Sequence, residues 1–434
     1  MADIPKIGFV SQAGAGIQSQ ASSTQAASQA VPVALESGSR VAAIAMYCVL
    51  LVAYALMAAD RYLFPVLAPD VRRDFGFSLA NTGLLSTIFT LGLGIGGLPT
   101  GYLLSRFSRK VVMLVGIAIF SASIALTTIA IGFWSMLVCL AVAGIGMAML
   151  ATVMFALAAS YFFRHRAAAI GSVNFCYGIG GIAGPLLASL LLGTYGTWRA
   201  PMIAFGLFGF LMIVVIALAV RSWFSETSSE TRRAIQTRAD LRGATTLLNW
   251  NSMLLTVLSV TYGLVLYGYL GMYPTFLREG LHYSPKTAGF VMSFFGLGAL
   301  ASIAGGWLGD RFPPRFLLIT AFLCAAGLGY SFVHGSPAVL VQATLSCVYG
   351  VIGSAILYVN LAAFHVKAVK SSLANRGSGM FVTSFYGSSA FAGYLMGALA
   401  SHAGWARAGE IQITLFSIVA AALSLALRPS EMAL

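Results

Sequence analysis

Long apolar stretches recur along the whole chain, with short polar segments between them. Twelve of these stretches reach roughly the 20 residues that an α-helix needs to cross about 30 Å of hydrocarbon. They lie at approximately 41–68, 79–104, 110–131, 133–160, 168–193, 199–220, 251–277, 286–308, 316–333, 337–364, 375–400 and 408–427. The pattern predicts an all-α membrane protein with twelve transmembrane helices.

Composition agrees with this prediction and orients the chain. Hydrophobic residues make up 59% of the sequence and charged residues 9%, with a mean hydropathy of +0.88, which excludes an ordinary soluble protein. Of the 25 Lys and Arg residues, eighteen fall on the side of the N-terminus, six fall on the other side, and Arg61 lies within a span. The positive-inside rule therefore predicts a multi-pass inner-membrane protein with both termini in the cytoplasm. The net charge of +13 follows from this topology and anionic lipid, and it does not indicate nucleic-acid binding.

Polar segments divide the chain into four parts. Residues 1–40 are rich in Ala, Ser and Gln, which predicts a disordered cytoplasmic tail. Residues 41–220 and 250–434 each hold six spans, and residues 221–249 form a cytoplasmic linker between them. The five cysteines and five histidines show no metal-ligand spacing, so we predict no metal and no cofactor.

The two sets of six spans repeat each other. GYLLSRFSRK at 101–110 aligns with GGWLGDRFPPR at 305–315 at an offset of 205 residues. YGIGGIAGPLL at 177–187 aligns with YGSSAFAGYLM at 386–396 at an offset of 209 residues. Two parallel six-helix repeats are the architecture of the major facilitator transporters, whose binding cavity lies between the halves near the middle of the bilayer. We therefore predict two six-helix pseudo-repeat bundles with this fold.

The first two spans carry a more specific resemblance. DRYLFPVLAPDVRRDFGFS at 60–78 and GLLSTIFTLGLGIGGLPTGYLLSRFSRK at 83–110 resemble the anion:cation symporter branch of the major facilitator superfamily. The superfamily resemblance covers residues 41–428, and the branch-level resemblance rests mainly on these two segments. It implies a symporter that moves an organic anion by alternating access of one central site to the two sides of the membrane.

The resemblance also implies a set of gating residues after the second and eighth spans. They are Arg106, Arg109, Asp310 and Arg311, which would latch the cytoplasmic side. In the first half Ser105 replaces the acid of this signature, so the first-half latch should be weaker. A carboxylate on the fourth span, common in proton-coupled relatives, is missing from residues 133–161.

An adjacent acid and base lie inside the first span. Asp60 is the only acid well within a predicted span, and Arg61 is the only base. An ionisable side chain in hydrocarbon costs a few kcal/mol and normally faces a cavity or a partner. Successive helix residues point about 100° apart, so we expect Arg61 to face the cavity and Asp60 a neighbouring helix. The flat guanidinium matches a carboxylate with two parallel hydrogen bonds.

Asp60 is a candidate for proton coupling, because a proton on Asp60 and an anion on Arg61 would favour each other. The alternative is a structural ion pair near the outer interface, with the arginine reaching toward water.

Further polar and aromatic residues within the spans could contact the substrate. Tyr54 and Met57 precede Arg61 by seven and four residues, which places them on its face of a helix. The others are Asn174, Tyr177, Tyr262, Tyr267, Tyr358, Asn360 and Tyr386. The alternatives are helix-packing contacts and, for the tyrosines of the seventh span, an aromatic belt at the interface.

These features together predict a secondary active transporter for a small carboxylate-type anion. We expect it to act in the lipid bilayer as a monomer, by alternating access and with proton coupling. The alternative is an efflux carrier for amphipathic compounds or lipids, because the expected cavity has little charge and many Tyr, Phe and Met residues. The sequence contains no HExxH, GxSxG or GxxxxGK[ST] motif, so we expect neither an enzyme nor a direct user of ATP.

Overall fold

A computed structural model describes residues 37–161, 166–225, 244–370 and 373–432. These residues are helical apart from turns, short loops and one β-bridge between Ala244 and Val369. The predicted disordered tail and most of the predicted linker lie outside the described residues. Residues 48–434 form one compact unit, which is separate from residues 1–47.

The helices follow one another with short connections, and we number the spans α1 to α12 in chain order. The first half contains α1 (Ser37–Asp60 and Leu63–Phe75), α2 (Leu79–Thr87 and Phe89–Arg106), α3 (Arg109–Leu126), α4 (Phe133–Tyr161), α5 (Arg166–Tyr195) and α6 (Arg199–Ala219). The second half contains α7 (Trp250–Thr275, continued by Phe276–Gly280), α8 (Pro285–Ala299 and Ser302–Arg311), α9 (Pro314–His334), α10 (Val339–Tyr349, Gly350–Tyr358 and Val359–Lys367), α11 (374–403) and α12 (405–424).

Twelve spans are present in the residues that the structure describes. Ten helical stretches are long and apolar enough to cross a membrane, and α8 adds an eleventh as two pieces bent by 42°. The stretch Arg376–Ser424 contains 49 residues, more than twice what one crossing needs. It breaks at Gly404, whose φ of 81° lies in the left-handed region that glycine adopts readily. This break separates α11 from α12, and the predicted twelve-helix fold is confirmed.

Helix α1 is interrupted at its charged pair. Its first piece ends at Asp60 and its second begins at Leu63, which leaves Arg61 and Tyr62 in a turn. Pro65 has no N–H to donate to the carbonyl of Arg61, four residues earlier. The N–H of Tyr62 instead donates to the carbonyl of Ala59 at 3.1 Å, which tightens the turn. The proline thus explains why the helix breaks at this point.

The two halves meet closely through α2 against α11. A Cβ added at Gly83 would collide with the carbonyl oxygen of Gly393, and a Cβ at Gly393 would collide with that of Gly83. Thr87 next to this crossing donates its hydroxyl to the carbonyl of Ala390 at 2.8 Å. The contact is therefore backbone against backbone, and only glycine fits it.

The same two helices diverge along their length. A Cβ at Gly94 would lie 3.5 Å from the Cβ of Tyr386, an ordinary contact, and a Cβ at Gly97 or Gly101 would meet no atom within 4 Å. We call the end of the molecule that holds the α1–α2 and α7–α8 loops the odd-loop end, and the opposite end the even-loop end. The halves are in close contact toward the odd-loop end and open toward the even-loop end.

We expect Gly83→Leu to prevent this closure, because its side chain would occupy the space of the α11 backbone. The test uses a chain whose five cysteines are replaced by alanine and which carries Phe89→Cys as a reporter. A membrane-impermeant maleimide added from the odd-loop side should label this cysteine several-fold faster when Gly83→Leu is present.

Gly193→Leu is the matched control, because Gly193 lies on α5 with no atom within 4 Å of an added Cβ. Equal labelling of the two variants would contradict the proposed role of the Gly83 contact.

Candidate functional site

Four aromatic rings surround the guanidinium of Arg61. Its central carbon lies 5.3 Å from the ring centroid of Phe89, 5.4 Å from Tyr177, 5.1 Å from Tyr267 and 5.5 Å from Tyr386. These distances fall within the range of cation–π attraction. The rings come from α2 and α5 of the first half and from α7 and α11 of the second. We call these four residues the aromatic cage, and it places Arg61 where the halves meet.

The tyrosine hydroxyls around Arg61 are arranged in two pairs. Tyr62 donates its hydroxyl to that of Tyr177 at 3.1 Å, and the hydroxyls of Tyr358 and Tyr386 lie 3.0 Å apart. All four hydroxyls interact electrostatically with Arg61. Tyr177 and Tyr386 occupy matching positions of the sequence repeat, so each half contributes one cage tyrosine with a hydroxyl partner.

Arg61 has no carboxylate partner among the described residues. No described ion pair includes it, and its Nε is buried without a hydrogen-bond partner. Aromatic faces stabilise a cation but do not accept its in-plane N–H bonds. A guanidinium in this state has donors available for an anion.

The side chain of Asp60 faces the interior of the first half. It lines two small pockets, one beside Phe120 and Leu140 and the other beside Phe120 and Phe205, so it faces α3, α4 and α6. Arg61 and Phe89 line the first of these pockets as well. The residue is 6% exposed, and neither carboxylate oxygen has a hydrogen-bond partner in the structure. The acidic side chain of Asp60 thus faces the interior of the first half, and the guanidinium of the adjacent Arg61 lies among rings from both halves.

The remaining residues predicted on α1 divide between these two environments. Tyr54 is buried, lies edge-on to Phe155 with centroids 6.4 Å apart, and interacts electrostatically with Arg61. Met57 lines a pocket with Asp60 that does not include Arg61. The predicted shared face of Met57 and Arg61 assumes an unbroken helix, whereas α1 leaves helical geometry directly after Asp60.

Two predicted substrate contacts are packing contacts of the second half in this structure. Tyr262 is fully buried and donates its hydroxyl to the carbonyl of Gly353 at 2.6 Å. Asn360 donates from its side-chain amide to the carbonyls of Gly305 and Ile356, both at 2.9 Å. For Asn360 this is the helix-packing alternative that the sequence left open, whereas the alternative for Tyr262 was an aromatic belt at the membrane interface.

Asn174 has a different environment. It is exposed on α5, three residues before the cage residue Tyr177. This position lies on the even-loop side of Tyr177.

The residues predicted to latch the cytoplasmic side lie at the even-loop end. Asp310 accepts from Lys367 at 2.8 Å, and both residues belong to the second half. Arg106 stacks over Tyr102 at 4.8 Å and Arg311 over Trp307 at 5.2 Å, each within its own helix. Arg109 is the first residue of α3. The Asp310 ion pair therefore lies within one half in this structure.

Ion pairs do link the two halves at the odd-loop end, and sequence reasoning missed them. Arg278 on α7 makes a bidentate contact with Asp70 on α1 and is only 8% exposed. Arg72 donates to both carboxylate oxygens of Glu279, at 2.8 and 2.7 Å. The paired residues are 208 and 207 positions apart, within the repeat offset of 205 to 209. Opposite charges at matching ends of α1 and α7 are the sequence signal that could have found them.

A family model shows the same class of protein that the geometry indicates. The model of the Major Facilitator Superfamily matches residues 50–394. The chain belongs to this superfamily. The predicted family is thereby confirmed, and the protein is a multi-pass membrane protein of a transporter family rather than an enzyme.

Two curated proteins and one solved structure agree with the assignment. The chain is 31% identical over 206 residues to a probable chloroplastic anion transporter of Arabidopsis thaliana, covering 46% of this chain and 37% of that protein. It is 29% identical over 282 residues to a putative metabolite transport protein of Haemophilus influenzae, which covers 62% of this chain and 68% of that protein. The fold is shared by a bacterial homologue of the human lysosomal transporter Spinster, solved in an inward-facing unoccupied conformation. The TM-score is 0.70 at 17% identity, and the match covers 88% of this chain and 95% of that chain.

We expect the Asp70–Arg278 contact to stabilise the closed odd-loop end more than a surface ion pair could. A double-mutant cycle with Asp70→Asn and Arg278→Gln should give a coupling of about 1–3 kcal/mol, because the pair is mostly removed from water. The measurement is the change in unfolding free energy in detergent.

Arg428–Glu431 is the control pair, with side chains 56% and 50% exposed. Its coupling should stay below about 1 kcal/mol. Equal coupling in the two pairs would show that Asp70 and Arg278 do not lock this end.

Proposed function

We propose that the protein is a secondary active transporter for a small carboxylate-type organic anion. It would act as a monomer in the inner membrane, with both termini in the cytoplasm, by alternating access and with proton coupling. The observation that carries the proposal is the caged guanidinium of Arg61, which lies between the halves with no carboxylate partner in the described chain.

Arg61 has no anionic partner among the described residues, so an anion is the ligand that would complete its surroundings. Arg61 is held by rings from both halves, so a ligand bound to it also contacts both halves. A carboxylate can accept two parallel N–H bonds from the guanidinium, which the rings cannot do. The name of the Arabidopsis relative, a probable anion transporter, supports the same ligand class.

Alternating access is supported by the unequal ends of the molecule. The halves are tied at the odd-loop end by Asp70–Arg278 and Arg72–Glu279, and α2 and α11 diverge toward the even-loop end. The basic loops predict that the even-loop end faces the cytoplasm. Opening the odd-loop ion pairs and bringing the even-loop ends together would turn the same Arg61 site toward the other side. Asp310 and its neighbours could then serve as the predicted latch.

Proton coupling is supported by the surroundings of Asp60. Apart from Asp60 itself and Arg61, which lines one of them, the two pockets are lined by apolar residues, and Asp60 supplies their only side-chain oxygens. A metal cation requires several oxygen ligands, and no metal-binding group occurs among the described residues. A proton needs only the carboxylate itself, so it fits this site.

The adjacent charges also suggest why anion and proton would move together. With neither ligand bound, Arg61 and ionised Asp60 sum to zero charge. With both bound, the anion balances Arg61 and the proton neutralises Asp60, which again gives zero. Either ligand alone leaves one net charge within the membrane, which costs several kcal/mol. One proton per monovalent anion is therefore the stoichiometry that keeps the site neutral.

Proteoliposome transport with a panel of labelled carboxylates tests the proposal. Wild type should accumulate a carboxylate when an inward proton gradient is imposed. Asp60→Asn should still exchange the labelled anion for unlabelled anion but lose proton-driven accumulation, because the amide mimics the protonated acid permanently. Arg61→Gln should lose both activities.

Lys286→Gln is the control for loss of a charge, because Lys286 is exposed near the start of α8 and belongs neither to the site nor to the predicted latch. Binding or transport of cationic amphiphiles that Arg61→Gln leaves unchanged, with no carboxylate transported, would favour the alternative of an efflux carrier. Proton-driven accumulation by Asp60→Asn would exclude Asp60 as the coupling residue.

A further inference from the structure

We propose that the substrate is a monovalent aromatic carboxylate, bound with its carboxylate on Arg61 and bridged to the two halves by Tyr177 and Tyr386. This inference rests on the proposed function and specifies its substrate class. It follows from three properties of the site: its charge, its hydrogen-bonding capacity and its walls.

The charge of the site fits a single negative charge. Arg61 is the only base that the sequence places well within a span, and the described ion pairs give it no acidic partner. A dicarboxylate or phosphate dianion would bring a second negative charge into a wall of tyrosines and phenylalanines, where no described cation could balance it. Burying an unpaired charge is strongly unfavourable, so the site selects against dianions.

The hydrogen-bonding capacity of the site fits one carboxylate. Each tyrosine pair shares one O–H···O bond, which leaves one hydroxyl hydrogen in each pair free to donate. Tyr62 donates to Tyr177, so the free hydrogen of the first pair is that of Tyr177. The free hydrogen of the second pair is available at Tyr386 when Tyr358 donates to it. A carboxylate on Arg61 could accept one bond from Tyr177 and one from Tyr386.

Besides the exposed amide of Asn174, few donors near the cage remain for a polyhydroxylated substrate. The side-chain amide of Asn360 already donates to two backbone carbonyls, and the hydroxyl of Tyr262 donates to the backbone carbonyl of Gly353. Ser384, two residues before Tyr386, donates to the carbonyl of Met380 at 2.7 Å. A sugar acid would leave most of its hydroxyl groups without partners in this site, and each such group costs about 1–3 kcal/mol when buried.

Further aromatic rings pack behind the cage, where Phe385 and Phe381 are only 1% and 2% exposed. Phe385 lies 5.9 Å from Tyr267, 5.3 Å from Tyr358 and 5.0 Å from Tyr386 between ring centroids. Phe381 extends this surface, 5.4 Å from Phe385. Aromatic rings prefer offset-stacked and edge-to-face neighbours at such distances. These buried rings hold the cage rings in place, and a flat ring attached to the carboxylate could stack against the cage rings themselves better than a flexible aliphatic chain could.

Binding to purified protein in nanodiscs tests the inference with five probes: benzoate, cyclohexanecarboxylate, lactate, glucuronate and phthalate. Benzoate should bind about two- to tenfold more tightly than the saturated ring, because aromatic pairs are stabilised beyond the area that they bury. Glucuronate and the dianion phthalate should bind more weakly still. Each of the variants Tyr177→Phe and Tyr386→Phe keeps the ring and should weaken benzoate by about tenfold, the usual effect of losing a hydrogen bond to a charged group.

Tyr394→Phe is the matched control, because Tyr394 lies two turns further along α11 and is 46% exposed. Its benzoate affinity should equal that of wild type, and melting curves of all variants confirm folding. Equal affinity for benzoate and cyclohexanecarboxylate, or tighter binding of glucuronate, would overturn the aromatic substrate class while preserving an Arg61-dependent anion site. Failure of every carboxylate to bind would overturn both this inference and the proposed function. Unchanged benzoate affinity in both Tyr→Phe variants would overturn the bridging role of the hydroxyls.

Discussion

The unpartnered guanidinium of Arg61 is the constraint on which the rest of the site depends. A cation inside a membrane requires stabilisation, and here it comes from four rings on four helices instead of from a carboxylate. Two of these rings belong to each half, so any relative movement of the halves would change the environment of Arg61. Pro65 contributes by breaking α1 at this residue, which separates the direction of Arg61 from that of Asp60. The local backbone thus decides that the base faces the interface and the acid faces the interior of one half.

The internal repeat explains how the halves fit each other. Gly83 and Gly393 bring α2 and α11 into backbone contact, while Asp70–Arg278 and Arg72–Glu279 join matching ends of α1 and α7. The glycine contact depends on shape and the ion pairs depend on charge, but both act at the same end of the molecule. These few contacts all lie at one end of the molecule, so they would have to open together in any movement that separates the halves there.

Much of the architecture could be predicted from the sequence, whereas the contacts of individual side chains could not. The lengths of the apolar stretches predicted the spans, because bilayer thickness sets the length of a crossing helix. The internal sequence repeat predicted the two halves. In the structure Asp60 lines pockets of the first half and Arg61 lies among rings of both halves, since neighbouring residues diverge in nearly any local geometry. Met57 differs because its expected position required an unbroken helix. Asn360 could not be assigned from sequence, since an amide within a span serves packing or substrate equally well.

The position of Asp60 distinguishes this chain from a simple anion-binding pocket. A carboxylate directly beside Arg61 would compete with the substrate if it faced the same way, because it would occupy the donors that the substrate needs. The turn at Arg61 prevents this competition while keeping the two charges adjacent along the backbone. The acid can therefore respond electrostatically to an anion on Arg61 without touching it. Residues 133–161 of α4 contain no carboxylate, so in the proposed mechanism Asp60 on α1 would take the proton-carrying role.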